Sequence, residues 1–367
     1  MKVSIGSKIV QGPWGGGNLF AINLSNYLLS QGHSVIYDLT DPDIDLILLT
    51  DPRSRGESSS TFNHIDIEQY RKYINPRVAV IQRINECDER KNTNNINSFY
   101  MNASNVADHV VFVSTWLRNI YLQLGMSPKK SSVILAGANS EVFNPTNAQT
   151  YTKDSKVKLV THHWSSHSNK GFDIYKKIDD LLSNSEWSNK VEFTYIGNLP
   201  SNFNFKHTKV IEPLAGVDLA NEIKKNHIYI TASINEPSGN HHIEAAQCGL
   251  PILYKESGGI PEYCKNFGIS FSDDFEIKLD EIIRNYNILK TKMPHYPFNS
   301  AKMCKDFLEL FETELEKTKY LDDVSPNSWF LKYLFIYKNK ILKFLRRIFA
   351  FSIKNKLTTL ARYILKK

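Results

Sequence analysis

The chain has 367 residues, 41% of them hydrophobic and 23% charged, with a formal net charge of +7. At roughly 150 residues per domain, this length indicates two domains and an appendage, and the composition excludes a collagen-like or wholly disordered chain. Apolar runs stay short of the ~18 residues that a membrane-spanning helix needs, and the first residues lack a signal-peptide core, so we expect a cytosolic protein.

The four cysteines form no close pair. Cys87, Cys248, Cys264 and Cys304 are far apart in the sequence, and none belongs to a Cys-x-x-Cys motif. A disulfide framework or a zinc site is therefore not predicted, and we interpret these residues as reduced, mostly buried thiols.

Short apolar segments alternate with amphipathic ones over the first half of the chain. Strand-like runs cover 3–10, 34–37, 46–49, 78–81 and 110–113, and helical spacing covers 18–30, 66–74, 98–107 and 115–123. Short apolar strands that alternate with helices are typical of a parallel sheet that is covered on both faces.

A polar segment at 144–155 separates this unit from a second one. Strand patterns return at 157–161, 191–196, 228–232, 251–254 and 268–271, and helical patterns at 172–182, 217–225, 241–248, 276–290 and 299–318. We therefore predict an α/β protein with two doubly wound, Rossmann-like domains that face a central cleft. In such sheets, ligands bind at the carboxyl ends of the strands.

The clearest chemical motif covers residues 235–251. Glu236 lies in the loop behind a strand, and a helix is predicted to begin near Asn240. Gly239 lets the backbone approach a ligand closely, and the free amides at the start of the helix suit a diphosphate. Glu244 lies about one turn into the helix, where its carboxylate can accept hydrogen bonds from a ribose diol. Each glutamate taken alone also fits an ordinary loop residue or a solvated helix residue.

This string resembles the donor-site motif of retaining glycosyltransferases of the GT-B fold, in particular the large GT4 group. That group carries two glutamates with seven residues between them, then a Gly-x-Pro turn and a Gly-Gly-Ile-Pro-Glu element. The matching segments here are Glu236 to Glu244, Gly249-Leu250-Pro251 and Gly258-Gly259-Ile260-Pro261-Glu262. The resemblance extends more loosely over residues 3–318 and leaves the C-terminal tail outside.

The resemblance implies a GT-B arrangement of three parts, to which the sequence adds a C-terminal tail. An acceptor domain occupies 1–147, a nucleotide-sugar donor domain 148–298, and a helix that packs back towards the first domain 299–320. A basic amphipathic tail at 325–367 completes the chain as given. The segment 137–145 resembles the group's connection between the domains.

The resemblance also implies roles for single residues. Glu236 resembles the glutamate that contacts the donor sugar, and Glu244 the one that holds the nucleotide ribose. Lys170 resembles the lysine that neutralises the departing diphosphate, which gains charge in the transition state. We therefore expect Glu236 and Lys170 to be catalytic, although Lys170 without this motif would be an ordinary surface lysine. The amides expected to face the sugar and diphosphate are those of Ser238, Gly239, Asn240 and His241.

One position departs from the family pattern. The group usually has an arginine about five residues before the lysine, whereas the segment 161–168 contains none. Either a histidine or a hydroxyl replaces it, or the phosphate clamp is weaker. His162 and His163 also fit strand-end residues. No metal site is predicted, because the histidines lack carboxylates or thiolates at suitable spacing.

A glycine cluster at 12–18 follows the first strand. In the GT-B interpretation, Gly16 and Gly17 belong to the loop of the first domain that faces the donor phosphates. The cluster fails the Gly-x-Gly-x-x-Gly pattern, so a nicotinamide-dependent oxidoreductase has only this weak feature in its favour. A tight strand-to-helix turn is the other alternative.

The polar segment 82–90 follows another strand, and its side chains are expected to project into the cleft. Arg83, Asn85 and Asp88 are therefore candidate acceptor contacts. Many GT4 members have a histidine near this position, and this chain does not.

The tail from Val324 to Lys367 contains 11 basic residues and no acidic one, together with many large apolar side chains. A basic, partly amphipathic helix with aromatic residues is typical of a segment that lies on an anionic membrane surface. Nucleic-acid binding, which we do not expect, and packing on the body of the protein or on a partner are the alternatives.

Together these features predict a retaining glycosyltransferase that moves a sugar from a nucleoside-diphosphate sugar to a hydroxyl of a glycan or lipid-linked acceptor. We expect a front-face reaction without cofactor or metal, peripheral attachment to the inner face of the membrane in the cytoplasm, and a place in cell-envelope polysaccharide or lipopolysaccharide synthesis. The alternative is a non-catalytic GT-B-like binding or scaffold protein, for which the missing arginine is the clue.

Overall fold

The computed structural model describes residues 1–10, 15–53, 60–319, 333–338, 340, 341 and 344. Its strands form two six-stranded sheets, and all the strand pairs described are parallel. Parallel strands need long crossover connections, so helices cover both faces of each sheet. The predicted architecture of two doubly wound α/β domains is confirmed.

The first sheet consists of β1 (Lys2–Ile5), β2 (Ser34–Ile36), β3 (Leu46–Leu49), β4 (Ala79–Ile84), β5 (His109–Phe112) and β6 (Ser131–Val133). Its strand order is β2-β1-β3-β4-β5-β6. The helices of this unit are α1 (Gly15–Ser30), α2 (His64–Tyr73), α3 (Asp88–Lys91), α4 (Ile96–Ala103) and α5 (Thr115–Gln123), with 3₁₀ turns at Ser104–Val106 and Pro128–Lys130. The central strand β3 is buried along its whole length because helices cover the sheet from both sides.

The second sheet consists of β7 (Val157–His163), β8 (Val191–Gly197), β9 (Lys209–Ile211), β10 (Ile228–Thr231), β11 (Ile252–Lys255) and β12 (Gly268–Phe271), in the order β12-β11-β10-β7-β8-β9. Its helices are α6 (Phe172–Leu181), α7 (Ser185–Lys190), α8 (Gly216–Ile223), α9 (Asn240–Gln247), α10 (Ile260–Cys264), α11 (Phe275–Arg284) and α12 (Tyr286–Lys292), with 3₁₀ turns at Ser168–Lys170 and Met293–His295. The winding direction reverses between β7 and β10. At such a switch point, ligands bind in the crevice outside the carboxyl ends of the strands.

Helix α13 (Ser300–Thr318) returns the chain to the first sheet. The ring of Phe307 packs on the ring of Phe20 in α1 at a centroid distance of 5.1 Å. One carboxylate oxygen of Glu314 lies 3.5 Å from Nδ1 of His109 at the start of β5. An apolar face at helical spacing thus attaches α13 to the domain where the chain began.

Residues of the Gly-Gly-Ile-Pro-Glu element join the two domains. Glu262 of α10 accepts hydrogen bonds from the backbone amides of Thr115 at 2.8 Å and Trp116 at 2.9 Å. Its carboxylate therefore lies at the positive N-terminus of α5, where a negative charge is stabilised. The hydroxyl of Tyr263 donates to the carbonyl oxygen of Val113 at 2.5 Å. Together these bonds hold the start of α5 against the second domain.

The observed elements differ from the prediction in several places. The edge strands β6 and β9, three residues each, are not predicted, and β1 ends at Ile5 instead of Val10. The helix predicted at 276–290 is two helices, α11 and α12, because Asn285 between them is not helical. Residues 11–14, which include part of the glycine cluster, lie outside the described ranges.

The described part of the tail contacts the first domain. Residues 333–338 are helical, and Phe335 is buried with its ring 6.2 Å from the ring of Tyr70 in α2. Most of the predicted tail lies outside the described residues. Within those residues, no helix has the length and apolar character needed to cross a membrane. The four cysteines, all described, are buried as free thiols.

Candidate active site

Two loops meet at the crevice between β7 and β10. Lys170 ends the 3₁₀ turn behind β7, and Gly171 follows it with a φ of +83°. A Cβ atom at Gly171 would lie 2.3 Å from the carbonyl oxygen of Ala232, so glycine is required for the two loops to approach this closely. Lys170 is thereby placed beside the loop that carries Glu236.

Glu236 contacts two cations. Nζ of Lys170 lies 2.5 Å from its Oε2, and Nε of Arg90, from the first domain, lies 3.4 Å from its Oε1. Burial alone would raise the pKa of this carboxyl, but the charges of Arg90 and Lys170 lower it to about 2. Glu236 is therefore ionised at neutral pH although only 5% of it is exposed.

The backbone around Glu236 is shaped by the segment 257–259. Gly258 has a φ of +65°, and a Cβ atom there would lie 2.6 Å from the carbonyl oxygen of Glu236. The amide of Gly259 donates to the same carbonyl at 2.9 Å. The amide of Asn235, itself at a φ of +51°, donates to Oγ of Ser257 at 3.0 Å. This segment, which the family motif singled out, thus holds the loop that carries the carboxylate.

Helix α9 begins directly behind Gly239, which has a φ of +73°. A Cβ atom at Gly239 would come within 2.7 to 3.0 Å of the side chains of His241, His242 and Glu236. No described side chain caps this end of α9, and its first turn contains no acidic residue. The amides of this turn are therefore available to an anion, which the helix dipole also favours.

The N-terminus of α1 faces the N-terminus of α9. A Cβ atom at Gly16 would lie 3.1 Å from the side-chain oxygen of Asn240, whereas one at Gly17 would meet no described atom within 4 Å. Ser238 precedes Gly239 at the same edge of the second sheet. The structure thus brings Gly16 of the first domain to the start of α9 in the second domain.

Glu244 is buried in α9 and contacts a histidine. Its Oε2 lies 3.0 Å from Nε2 of His162, and Nδ1 of His162 lies 3.2 Å from the hydroxyl oxygen of Tyr229. His162 therefore orients Glu244 and does not contact Lys170. His163 hydrogen-bonds a buried tyrosine, and burial holds its pKa well below the usual range. Both histidines are thus engaged by buried partners of the second domain.

Arg90 is the site residue that the sequence analysis does not identify. It lies in α3, and its Nη1 is 3.2 Å from Oε2 of Glu86. The nearby charge of Glu236 raises the pKa of Arg90 above its usual value, so the guanidinium is always charged. The charged run 86–91 is visible in the sequence, but its spacing gives no sign that it reaches the other domain.

Arg83 and Asn85, two of the candidate acceptor residues, lie at the end of β4. Arg83 is 5% exposed, and its guanidinium carbon lies 4.0 Å from the ring centroid of Phe20 in α1. Burial lowers the pKa of Arg83 to about 10, and the guanidinium has no hydrogen-bond or ion-pair partner among the described residues. Asn85 is partly exposed.

Asp88, the third candidate, is engaged by its own loop. Its carboxylate accepts hydrogen bonds from the amides of Ile96 at 2.9 Å and Asn97 at 3.0 Å, and from the hydroxyl of Thr93 at 2.6 Å. Burial acts to raise the pKa of Asp88, but these donors lower it. These bonds hold the loop between α3 and α4.

The remaining histidines of the crevice are neutral. Nε2 of His241 lies 2.9 Å from the hydroxyl oxygen of Thr231, and burial holds the pKa of His241 well below its usual range. Burial lowers the pKa of His242 to about 3, and neither of its ring nitrogens has a partner in the described part of the chain. Among the residues that the structure describes, no group of three or more His, Cys, Asp or Glu side chains can hold a metal ion.

Two doubly wound domains on either side of a crevice are the defining feature of the GT-B fold of glycosyltransferases. Several solved structures share this fold with the chain. A glycosyltransferase from Rickettsia africae has a TM-score of 0.61, with 15% identity, over 86% of this chain and 98% of its own. Anabaena HepE in complex with UDP has a TM-score of 0.61, with 14% identity, over 85% of this chain and 100% of its own. The lipopolysaccharide outer core galactosyltransferase WaaB has a TM-score of 0.61, with 12% identity, over 86% of this chain and 100% of its own. The chain therefore has the GT-B fold.

Among curated proteins, the chain is similar to the gpi3 subunit of phosphatidylinositol N-acetylglucosaminyltransferase. The subunit of Schizosaccharomyces pombe is 27% identical over 220 residues, which are 55% of this chain and 46% of the relative. The subunit of Saccharomyces cerevisiae is 29% identical over 193 residues, which are 47% of this chain and 42% of the relative. The chain thus matches less than half the length of these relatives. No protein-family model matches the chain.

Proposed function

We propose that this chain is a glycosyltransferase that takes its sugar from a nucleoside-diphosphate donor. The observation that carries the proposal is the Lys170–Glu236 pair, buried at the switch point of a doubly wound sheet beside the available amides of α9. The cation and the amides suit a diphosphate, and the carboxylate can accept hydrogen bonds from sugar hydroxyls. The GT-B neighbours and the names of the curated relatives support the same class of reaction, and GT4 membership is part of the proposal.

In the proposed reaction, the bond between the anomeric carbon of the sugar and the donor phosphate oxygen breaks, and its electron pair stays on that oxygen. The acceptor hydroxyl oxygen forms the new bond to the same carbon, and its proton passes to the leaving phosphate oxygen. With a pKa of about 2, Glu236 is a poor base, which favours the phosphate as the proton acceptor. We propose that this front-face route retains the anomeric configuration; an inverted product in a proton NMR assay would contradict it.

For the donor we propose a uridine-diphosphate sugar, because the Anabaena neighbour is described in complex with UDP and with UDP-glucose. We also propose that no metal is needed, since Lys170 supplies positive charge beside the amides of α9. Calorimetric titration with UDP, GDP and ADP, with and without EDTA, tests both points. If GDP or ADP binds and UDP does not, the proposed uridine donor is wrong. If EDTA abolishes binding, the proposal that no metal is needed is wrong.

Replacing Glu244 with alanine is expected to weaken UDP binding by about 10- to 100-fold, because a carboxylate that accepts two hydrogen bonds from a ribose is lost. The matched control is Glu276→Ala, which removes a glutamate from the exposed surface of the same domain. Calorimetry with 2′-deoxy-UDP gives a second readout, since wild type should lose affinity for it and the Glu244 variant should not. Equal UDP affinity in Glu244→Ala and wild type would remove Glu244 from the donor site.

For the acceptor we propose a hydroxyl of a glycan or a lipid-linked molecule, with cell-envelope synthesis as the setting. The S. pombe relative is named for phosphatidylinositol, and the galactosyltransferase neighbour for the lipopolysaccharide outer core. Arg83, buried at the crevice without a described partner, has donors to offer, and Asn85 lies beside it. Arg83→Gln is expected to raise KM for the acceptor at unchanged UDP affinity; a loss of UDP binding instead would assign Arg83 to the donor.

The described tail helix presents an exposed apolar face. Tyr333, Leu334 and Tyr337 are 70%, 50% and 61% exposed, while Phe335 packs on the body of the protein. Lys338 and Lys340, both exposed, continue the basic tail. We propose that this face attaches the protein to an anionic membrane surface on the cytoplasmic side.

Removal of residues 325–367 is expected to abolish co-sedimentation with vesicles that contain an anionic lipid. Each basic residue near such a surface contributes about 1 kcal/mol, so high salt should also release the wild type. Vesicles of neutral lipid are the control for apolar adsorption. Equal sedimentation of the truncated and intact proteins would show that the tail is not the attachment.

A further inference from the structure

Glu236 lies between cations that come from different domains. Lys170 approaches one carboxylate oxygen from the loop behind β7, and Arg90 approaches the other from α3 of the first domain. The side chain of Lys170 is 13% exposed and that of Arg90 is 28% exposed, so both remain reachable from the crevice. Each oxygen of this carboxylate thus faces one cation at the place where the donor is proposed to bind.

The position of Arg90 is built into the interface between the domains. The side-chain amide of Asn169, next to Lys170, donates to the carbonyl oxygen of Arg90 at 2.8 Å. The side-chain amide of Asn235, next to Glu236, donates to the carbonyl oxygen of Glu89 at 3.1 Å. Both loops of the donor site thus hold the backbone of α3, and they hold it at the residues that place the guanidinium.

The first domain also braces α3 from its own side. Asp88, the first residue of α3, accepts the amides at the start of α4, as described above, and Nη1 of Arg90 lies 3.2 Å from Glu86. Lys91 lies 3.3 Å from the same carboxylate oxygen of Glu86.

A leaving diphosphate is stabilised by each fixed positive charge beside its oxygens. Charge develops on the phosphate oxygens as the sugar departs, and guanidinium groups hold such oxygens with two donors at once. The donor-domain segment 148–298 contains a single arginine, Arg284, which donates to the carbonyl oxygen of Asp280 within its own helix. No arginine of the donor domain is therefore available beside Lys170.

We infer that Arg90 is the second diphosphate-binding cation of the site and that the acceptor domain supplies it across the cleft. This inference rests on the proposed donor site. It accounts for the serine at position 165, five residues before Lys170, where the family pattern has an arginine. It also makes diphosphate binding depend on the apposition of the two domains, because the two cations meet only when α3 lies against the loops of the second domain.

The test compares Arg90→Gln, Arg90→Lys and Lys91→Gln in the full chain by calorimetry. The ligands are UDP, GDP and ADP, the matching nucleosides, and inorganic pyrophosphate as a probe independent of the base. Arg90→Gln is expected to lower the affinity for pyrophosphate, and for the nucleoside diphosphate that binds wild type, by about 10- to 30-fold. The affinity for the nucleosides should be unchanged. Arg90→Lys keeps the positive charge, so its affinity for these ligands should fall less than that of Arg90→Gln. Lys91→Gln removes the neighbouring charge, which contacts Glu86 and not Glu236, and should bind every ligand like wild type.

The outcomes separate this inference from the proposed function. Wild-type diphosphate affinity in Arg90→Gln, combined with a loss in Lys170→Gln, would overturn the role of Arg90 and leave the donor site intact. Equal losses of nucleoside and diphosphate affinity in Arg90→Gln, at a lowered melting temperature, would also overturn it, because that pattern marks a purely structural residue. Failure of wild type to bind any of these ligands would contradict the proposed function itself, and the inference with it.

Discussion

Replacing Lys170 with alanine is expected to lower turnover by about 10²- to 10³-fold, because a fixed positive charge beside the developing phosphate charge is lost. UDP affinity should fall less, by about tenfold, since the charge on the diphosphate is greater in the transition state than in the bound donor. The substitution would also remove the ion pair between Lys170 and Glu236, so that Arg90 would be the remaining described cation beside Glu236. The measurement is the release of UDP from the donor sugar, together with calorimetric titration of UDP.

The control for this prediction is Lys177→Ala. Lys177 lies in α6 of the same domain and pairs with Glu276 on the surface, so its removal should leave turnover within about twofold. Glu236→Ala is the companion variant and should lose turnover more than UDP affinity. Retention of more than a third of the wild-type turnover in Lys170→Ala would contradict the assignment of Lys170. A wild type that binds UDP and releases none from any donor sugar would favour the non-catalytic scaffold.

Acidification from pH 7 to pH 4.5 is expected to unfold the protein. Burial lowers the pKa of His242 to about 3 and that of His227 to about 4, and holds those of His163 and His241 well below the usual 6.5. These groups stay neutral in the folded chain but bind protons in the unfolded chain below pH 6.5. The stability they contribute is therefore present above pH 6.5 and is lost as pH falls towards their folded pKa values.

The expected loss is large because four histidines act in the same direction. His227 and His242, with folded pKa values of about 4 and about 3, each remove about 2–3 kcal/mol of stability at pH 4.5, and the burial of His163 and His241 acts in the same direction. Two such groups together remove about 5 kcal/mol, which is at the lower end of the stability of a typical domain. Urea unfolding followed by circular dichroism at pH 7.5, 6.0 and 5.0 measures this loss.

His242→Leu is the diagnostic variant for this effect. Both ring nitrogens of His242 lack a partner in the described structure, so the substitution removes a titrating group without removing a hydrogen bond. Its stability should fall less steeply with acidification than that of wild type. A flat dependence of wild-type stability between pH 7 and pH 5 would show that these histidines are not buried as the structure places them.

Much of the local structure of the proposed donor site was predictable from the sequence. The spacing of Glu236 and Glu244, the glycine at 239 and the Gly-Gly pair at 258–259 act over a strand, a turn and a helix. Because the conformation of such a unit depends on residues close in the sequence, its pattern indicates both the local fold and the position of its side chains. The order of strands and helices was predictable for the same reason, since buried parallel strands are short apolar runs.

The edge strands β6 and β9 were not predictable in this way. The sequences Ser131-Ser132-Val133 and Lys209-Val210-Ile211 are short, and their residues are mostly exposed or partly exposed. A strand at the edge of a sheet pairs on one side only and buries less apolar surface, so it needs no continuous apolar run. Its identity as a strand comes from the neighbouring strand that it pairs with.

The tertiary structure alone decided what surrounds the two glutamates. Arg90 reaches Glu236, His162 pairs with Glu244, and Glu262 lies at the N-terminus of α5, each across a long stretch of sequence. Such contacts depend on how two domains pack, and the residues involved carry no local pattern because a charged side chain in a loop looks the same whether it faces solvent or a partner. By itself, the sequence determined the class of fold and the chemical groups of the proposed donor site, because the geometry of that site is local. The packing of the domains determined the charge environment of that site, because ion pairing between distant residues depends on distances in space.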